Sequence, residues 1–265
     1  MSSLGQHTAA LPLAEREQDV FLRILTHDDR QSFYVVSTDA SGRWADAAFK
    51  REQFQTLAFD DASNYYITHN GFTGKQRRAE RTRQLNALFF DLDCHGAGQG
   101  ACEEAVNQAL GRLLDAVHVG VLPNPSLIVD SGRGLHLYYV LERSIPYRFK
   151  GKGEVNEKGV AFFKKVQGQL ADVLEELLEG VPGIEVDRAV FDHTRVARIP
   201  GTYNTKAGRF ARLVNAQESY HHLSDLADYK PAKAGGQTPR KKPATILSFH
   251  PLMMSRLNKL IELQA

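Results

Sequence analysis

Two aspartates one residue apart close an apolar run, Ala87-Leu88-Phe89-Phe90-Asp91-Leu92-Asp93. A strand turns alternate side chains to one face, so Asp91 and Asp93 point together, with Cα atoms roughly 6.5 Å apart. That spacing lets both carboxylates reach one pair of divalent ions. If a third carboxylate lies within about 5 Å, each pair repels by roughly 3 kcal/mol at an effective dielectric of about 20, so the cluster favours a cation. All-oxygen ligation suits Mg²⁺ or Mn²⁺ and not zinc. Asp187, which follows the apolar residues Ile184 and Val186, is the preferred third ligand, with Asp192 as the alternate. The plain alternative is a pair of strand-end aspartates capping a solvated turn.

Two later segments have the chemistry to hold a metal-bound triphosphate. In Ser131-Gly132-Arg133-Gly134-Leu135-His136 the glycines allow a tight turn and close approach of the backbone to a ligand. Backbone N–H groups and the Ser131 hydroxyl suit phosphate oxygens, and His136, just inside the next strand, can donate to them. In Arg195-Val196-Ala197-Arg198-Ile199-Pro200-Gly201-Thr202-Tyr203-Asn204-Thr205-Lys206, the cations Arg195, Arg198 and Lys206 stand with Thr202 and Asn204 around a Pro-Gly turn. Arginine forks match phosphate geometry and lysine supplies a point charge. Arg188, Arg209 and Arg212 read instead as salt-bridged surface residues. Lys75, Arg77, Arg78, Arg81 and Arg83 form a basic run opposed only by Glu80, either a solvated face or a contact for nucleic-acid phosphates.

The chain has 265 residues, enough for one large domain or two intimate subdomains. Its hydrophobic content of 42% and charged content of 24% are those of an ordinary soluble globular protein. The net charge of +2 leaves the question of nucleic acid to charge clustering. Cys94 and Cys102 make no disulfide framework, so a reducing cytoplasm is the simpler expectation. Assembling them with His95 and His118 into a zinc site fits no compact knuckle spacing. No signal pattern opens the chain, and no apolar run would span a bilayer, so no membrane is expected.

The elements that must carry these residues follow from periodicity. Helices are expected over Leu13 to Leu25, Arg51 to Ala58, the stretch with Val106, Ala109, Leu110, Leu113, Leu114 and Val117, and about Val160 to Leu178. Strands are expected at Ser32–Ser37, Asn64–Thr68, Ala87–Asp93, Ser126–Val129, Leu135–Leu141 and Phe210–Val214. The turn from Asp130 to Gly134 makes a hairpin of two of them, which breaks an all-parallel pattern. The expected fold class is therefore α+β (mixed α/β), not a doubly wound sheet. Residues 230–247 read as a basic, proline-containing linker and 248–265 as a C-terminal helix.

Taken in order, these segments resemble the archaeo-eukaryotic primase (AEP) superfamily, most of all its primase-polymerase branch on plasmids, phages and other mobile elements. Asp91 and Asp93 match its Asp-x-Asp strand. Ser131, Gly132, Gly134 and His136 match the second motif, and Val186-Asp187 the third. Arg198, Pro200, Gly201, Thr202, Asn204 and Lys206 match an Arg-x-Pro-Gly-Thr-x-Asn-x-Lys string of that branch. The match spans roughly Ser32 to Val214. One departure, a long stretch from His136 to Asp187 with a glycine-rich insertion near Gly151, leaves Asp187 and Asp192 both open.

The resemblance implies a primase-polymerase domain over 1–229. An N-terminal α/β unit (about 1–84) would pack beside an RRM-like catalytic sheet (about 85–229), with helices on the outer faces and the active site in the cleft. It implies template-directed nucleotidyl transfer with two Mg²⁺ or Mn²⁺ ions on Asp91, Asp93 and Asp187. Ser131, Gly132, Arg133, Gly134, His136, Arg195, Arg198, Thr202, Asn204 and Lys206 would bind the NTP or dNTP. Lys75, Arg77, Arg78, Arg81 and Arg83 would hold a single-stranded DNA template and primer, and a replicative helicase is an implied partner. Two rivals share features. A haloacid-dehalogenase-type phosphatase would use Asp91 and Asp93, although Cys94-His95-Gly96 stands where that family has Gly-Thr. A non-catalytic RRM-like nucleic-acid-binding module would explain Tyr138, Tyr139 and the basic run. A replication nuclease is a weaker choice.

Overall fold

The computed structural model describes residues 16–27, 32–74, 76–95, 98–149 and 153–232. Lys75, Gly151, all but the first residues of the expected linker and the expected C-terminal helix lie outside them.

In chain order, helix α1 (Glu17–Leu25) precedes strands β1 (Phe33–Thr38), β2 (Trp44–Phe49), β3 (Asn64–Thr68), β4 (Gly71–Phe72) and β5 (Thr82–Cys94). Helix α2 (Gln99–His118) leads to the hairpin of β6 (Leu127–Asp130) and β7 (Gly134–Pro146). Helix α3 (Glu157–Leu178), β8 (Ile184–Val186), β9 (Val196–Arg198), β10 (Tyr203–Asn204), β11 (Arg209–Phe210), β12 (Arg212–Ala216) and α4 (Leu223–Leu226) complete it.

The fold is α+β and its named strand pairs are all antiparallel. One sheet runs β12-β6-β7-β5-β4, with β8 also on β5; a second runs β2-β1-β3-β9. Alternation along β5 and β7 separates two cores. Leu88, Phe90, Leu92, Leu135, Leu137 and Tyr139 face α2 and α3. Ala87, Phe89, Tyr138 and Val140 face α1 and the four-stranded sheet through Phe33, Val35, Ile67 and Ala197. Helix α3 forms because Phe163, Val166, Leu170, Val173 and Leu174 recur on one stripe, and Asn156 caps it by accepting from the Gly159 N–H at 3.1 Å.

One edge of β5 is shared. Strand β4 pairs with its beginning and β8 with its end. Between them the open backbone groups find other partners. Asn70 Oδ1 accepts from Asn86 N at 2.9 Å, Gln167 Nε2 donates to Phe89 O at 3.0 Å, and Asp187 N donates to Asp91 O at 2.9 Å. Buried backbone groups left unpaired are costly, which explains these polar residues in an apolar setting.

Several elements differ from expectation. Strand β2 was not foreseen: it is an exposed edge strand, Trp-Ala-Asp-Ala-Ala-Phe, so no core imposes alternation on it. Residues Arg51–Thr56 form a 3-10 helix and not an α-helix. Strand β5 starts at Thr82, and Ala211 divides the expected strand at 210–214 between β11 and β12. The four-stranded sheet takes β9 from far along the chain.

Cys94 and Cys102 form a disulfide with Cα atoms 5.8 Å apart, contrary to the expectation of two separate thiols. The end of β5 and the first turn of α2 return to each other across a short loop, which eight-residue spacing alone does not reveal. The same bond removes any zinc site on these residues. Among the described residues no helix is long and apolar enough to cross a membrane.

Candidate active site

Asp91 and Asp93 continue the β5 face that carries Ala87 and Phe89 into the core between the sheets. Across the ladder, Asp91 stands opposite His136 and Asp93 opposite Gly134. His136 Nε2 lies 3.6 Å from Asp91 Oδ1. On the other edge, Leu92 pairs with Val186, which sets Asp187 beside Asp91 through the 2.9 Å main-chain bond. Burial, then the charges of Asp93 and Asp187, push the Asp91 carboxyl up to about 7. Three aspartates thus gather, two on β5 and one just past the end of β8, and the negative charge they share makes the place unfavourable without a cation.

Among the described residues no trio of His, Cys, Asp or Glu side chains stands preformed in ligating geometry. Asp187 Oδ1 accepts from Ala189 N at 2.8 Å, and Asp93 Oδ1 from Cys94 N at 3.0 Å. Among the described residues, Asp187 Oδ2 and both Asp91 oxygens accept no hydrogen bond, and His95 Nε2 lies 3.7 Å from Asp93 Oδ2. The donor set is all carboxylate oxygen, which fits Mg²⁺ or Mn²⁺. Asp192 is placed differently. Its carboxylate accepts from Thr194 N and Thr194 Oγ1, both at 2.9 Å, and so closes its own turn.

The cationic side of the site is Arg198, which is 5% exposed. It donates to Asn64 Oδ1 and to the Tyr66 hydroxyl, each at 3.0 Å. Among the described residues no carboxylate pairs with it. Burial lowers its pKa. Burial also pulls His136 down to about 3, with the charge of Arg198 adding to the effect, so the imidazole is neutral at pH 7. Among the described residues its buried Nδ1 has no hydrogen-bond partner. Arg133, Arg195 and Lys206 are exposed; Arg195 donates to Ala189 O at 3.0 Å.

The Ser131–Gly134 turn is held differently from expectation. Its Ser131 hydroxyl donates to Gly134 O at 3.2 Å, and Gly132 N donates to Asp130 Oδ1 at 2.8 Å. Those two donors are therefore engaged within the turn and are not free for phosphate. Arg209 supports it through Gly132 O and Asp130. Asn204 Nδ2 donates to Ser131 O at 2.8 Å, and Thr202 Oγ1 to Ile199 O at 2.7 Å. Asn204 and Thr202 thus brace the backbone. Arg188 pairs with Asp172 and Glu175, and Arg212 with Glu17, as surface ion pairs.

Sequence reasoning missed Asn64, which joins the two halves of the site. Its Oδ1 accepts from Arg198 and from Thr205 N, and its Nδ2 donates to Thr205 Oγ1 at 2.8 Å. Its only signal was a polar residue opening an aromatic strand. In the basic run, Arg77 is tied to Asp46 and Thr194 O, while Arg78 and Arg81 are exposed and Arg83 is half-buried. Tyr138 and Tyr139 are fully buried and offer no ring to a nucleic acid.

No protein-family model matches the chain. Among solved structures, the AEP domain of the cyanophage S-2L primase-polymerase superposes with a TM-score of 0.53. The identity is 17%, over 82% of this chain and 98% of that one. The fold is that of an AEP primase domain. Primase RepB′ aligns over 94% of this chain and 69% of its own at 15% identity, with a TM-score of 0.46. A replication protein of Clostridium perfringens is 29% identical over 209 residues, covering 79% of this chain and 43% of that protein. The AEP-type fold described here therefore matches less than half the length of that relative.

Proposed function

We propose that this chain is the catalytic core of a replication primase-polymerase. It would transfer nucleotides in a template-directed manner onto a primer strand on single-stranded DNA, in the replication of a mobile element or in repair. The observation that carries the reading is the meeting of Asp91, Asp93 and Asp187, with a neutral buried His136 across the ladder from Asp91 and a buried Arg198 whose charge reaches His136. Similarity to a replication protein supports the same direction.

Asp91, Asp93 and Asp187 would hold two Mg²⁺ or Mn²⁺ ions, which when bound supply charge that favours an ionised 3′-hydroxyl and a departing pyrophosphate. Arg198 binds a triphosphate oxygen from a fixed direction, because Asn64 and Tyr66 lock its fork. Neutral His136 donates a hydrogen bond to a phosphate oxygen without bringing a second charge to Arg198. Exposed Lys206, Arg133 and Arg195 add charge at the rim, and Arg78 and Arg81 contact template phosphates, which carry no sequence information.

The test supplies a primed single-stranded template, NTPs or dNTPs, and Mn²⁺ or Mg²⁺. The wild-type chain should extend the primer. Asp91→Asn and Asp93→Asn should each lower the rate at least about a hundredfold, the scale of removing one preorganised electrostatic group. Wild-type synthesis by both variants would refute the assignment.

A further inference from the structure

An aromatic stripe crosses the face of the four-stranded sheet opposite its core-facing side, where Phe72 of β4 packs on Tyr34 and Val36 and leaves Trp44 open. Phe33, Val35, Ile67 and Ala197 point into the core between the sheets. Register then places Trp44, Thr38, Tyr66 and Arg198 on the opposite face, across all four strands. The Trp44 and Tyr66 rings stack with centroids 5.6 Å apart and planes at 26°. The Arg198 guanidinium lies 4.7 Å from the Tyr66 centroid on its far side of the stripe. Trp44 remains 56% exposed. A ring this large, held flat by a stacked neighbour and still open to water, presents a π-face to a planar partner.

The surroundings say what kind of partner. Asp46 shares the Trp44 face, and Arg77 Nε bonds its Oδ2 at 3.0 Å. The Tyr34 hydroxyl, on the same face, donates to Gly74 O at 3.0 Å, which fixes the loop carrying Arg77, Arg78 and Arg81 along this surface. The stripe is therefore flanked by the basic run at one side and ends at Arg198 on the other. Stacking rings beside clustered arginines fit a chain of bases on a phosphate backbone, not an apolar protein surface.

We propose that Trp44, backed by Tyr66, is a stacking platform for a base of single-stranded nucleic acid, and that it guides the template strand toward Arg198. The template role rests on the primase reading; the platform itself needs no catalysis.

Trp44 is the one tryptophan of the chain, so its emission reports this place alone. The full chain is titrated with short oligo-dT and oligo-dA, with chelator and without nucleotide, and a labelled oligonucleotide gives anisotropy in parallel. Emission should change saturably, with the same midpoint as the anisotropy. Trp44→Ala should weaken binding about tenfold, and Trp44→Phe should recover most of it. Trp44→Ala should leave the salt slope unchanged, whereas Arg78→Ala lowers it. Unchanged emission at saturating oligonucleotide, wild-type affinity in Trp44→Ala, or no oligonucleotide binding would each overturn the platform. A Trp44→Ala effect on self-association with none on oligonucleotide binding would reassign the face to a second copy. Emission changes in a wild-type chain that makes no templated product would keep the platform and refute nucleotidyl transfer. Templated synthesis with unaffected emission would do the reverse.

Discussion

Arg198 holds a full charge against neutral partners, Asn64 Oδ1 and the Tyr66 hydroxyl, with the Tyr66 ring alongside. Such an arrangement stabilises the guanidinium by charge-assisted hydrogen bonds and cation–π contact without neutralising it. On the proposed reading, an incoming phosphate would complete what the protein leaves open. Truncating it should therefore act on ligand binding more than on folding. Arg198→Ala should raise KM for the nucleotide by about 10- to 100-fold, the range for hydrogen bonds to charged groups. Arg198→Lys should recover only part of that, since a point charge lacks the fork. Steady-state kinetics over nucleotide concentration, with a melting curve for each variant, checks it. An unchanged KM would remove Arg198 from the nucleotide site.

At the scale of elements, the site depends on how closely the β6–β7 turn approaches β5. Gly134 sits opposite Asp93, and a Cβ there would stand 2.1 Å from Leu92 O, a backbone atom that cannot swing aside. Gly132 has φ +98°, and a Cβ there would stand 3.0 Å from Ala207 Cβ. Gly134→Ala should destabilise the chain by about 3 kcal/mol or more in urea unfolding, at the upper end for overpacking. A loss below about 1 kcal/mol would show that the two strands separate easily here. These glycines were legible as a tight turn from sequence, and so were β5, β6, β7 and helices α1, α2 and α3, because core burial imposes a period on them. The turn's inner bonds were not legible: whether Gly132 N faces a phosphate or Asp130 depends on the Asp130–Arg209 pair, formed by residues 79 apart. Strand β2 was hidden for the opposite reason, since an exposed edge needs no apolar alternation. Asp187 was preferred to Asp192 from its apolar neighbours, but its main-chain bond to Asp91 appears only when β8 docks on β5.

For the whole molecule, two cores share one sheet, and ionisable groups buried on its two sides link stability to pH. Burial pulls His69 and His136 down to about 3 and His221 to about 4. From pH 6.5 down to those values the unfolded chain binds more protons than the folded one, so these groups make stability fall as pH falls. Asp91 works the other way. Its folded pKa of about 7 exceeds the unfolded 3.8, so between pH 3.8 and 7 the folded chain holds the extra proton and stability falls as pH rises. Each group contributes at most about 1.4 kcal/mol per pH unit, so three histidines against one aspartate leave a net loss toward acid. Asp91→Asn deletes the opposing slope. In chelator, urea melts at pH 5, 6 and 7 should show the variant more stable than wild type at pH 7. It should then lose stability more steeply toward pH 5. Mg²⁺ should stabilise the wild type, increasingly from pH 6 to 8 as Asp91 ionises, and leave Asp91→Asn nearly unmoved. Parallel pH curves for the two proteins, or equal stabilisation of both by Mg²⁺, would mean that Asp91 does not carry the buried charge around which the site is built.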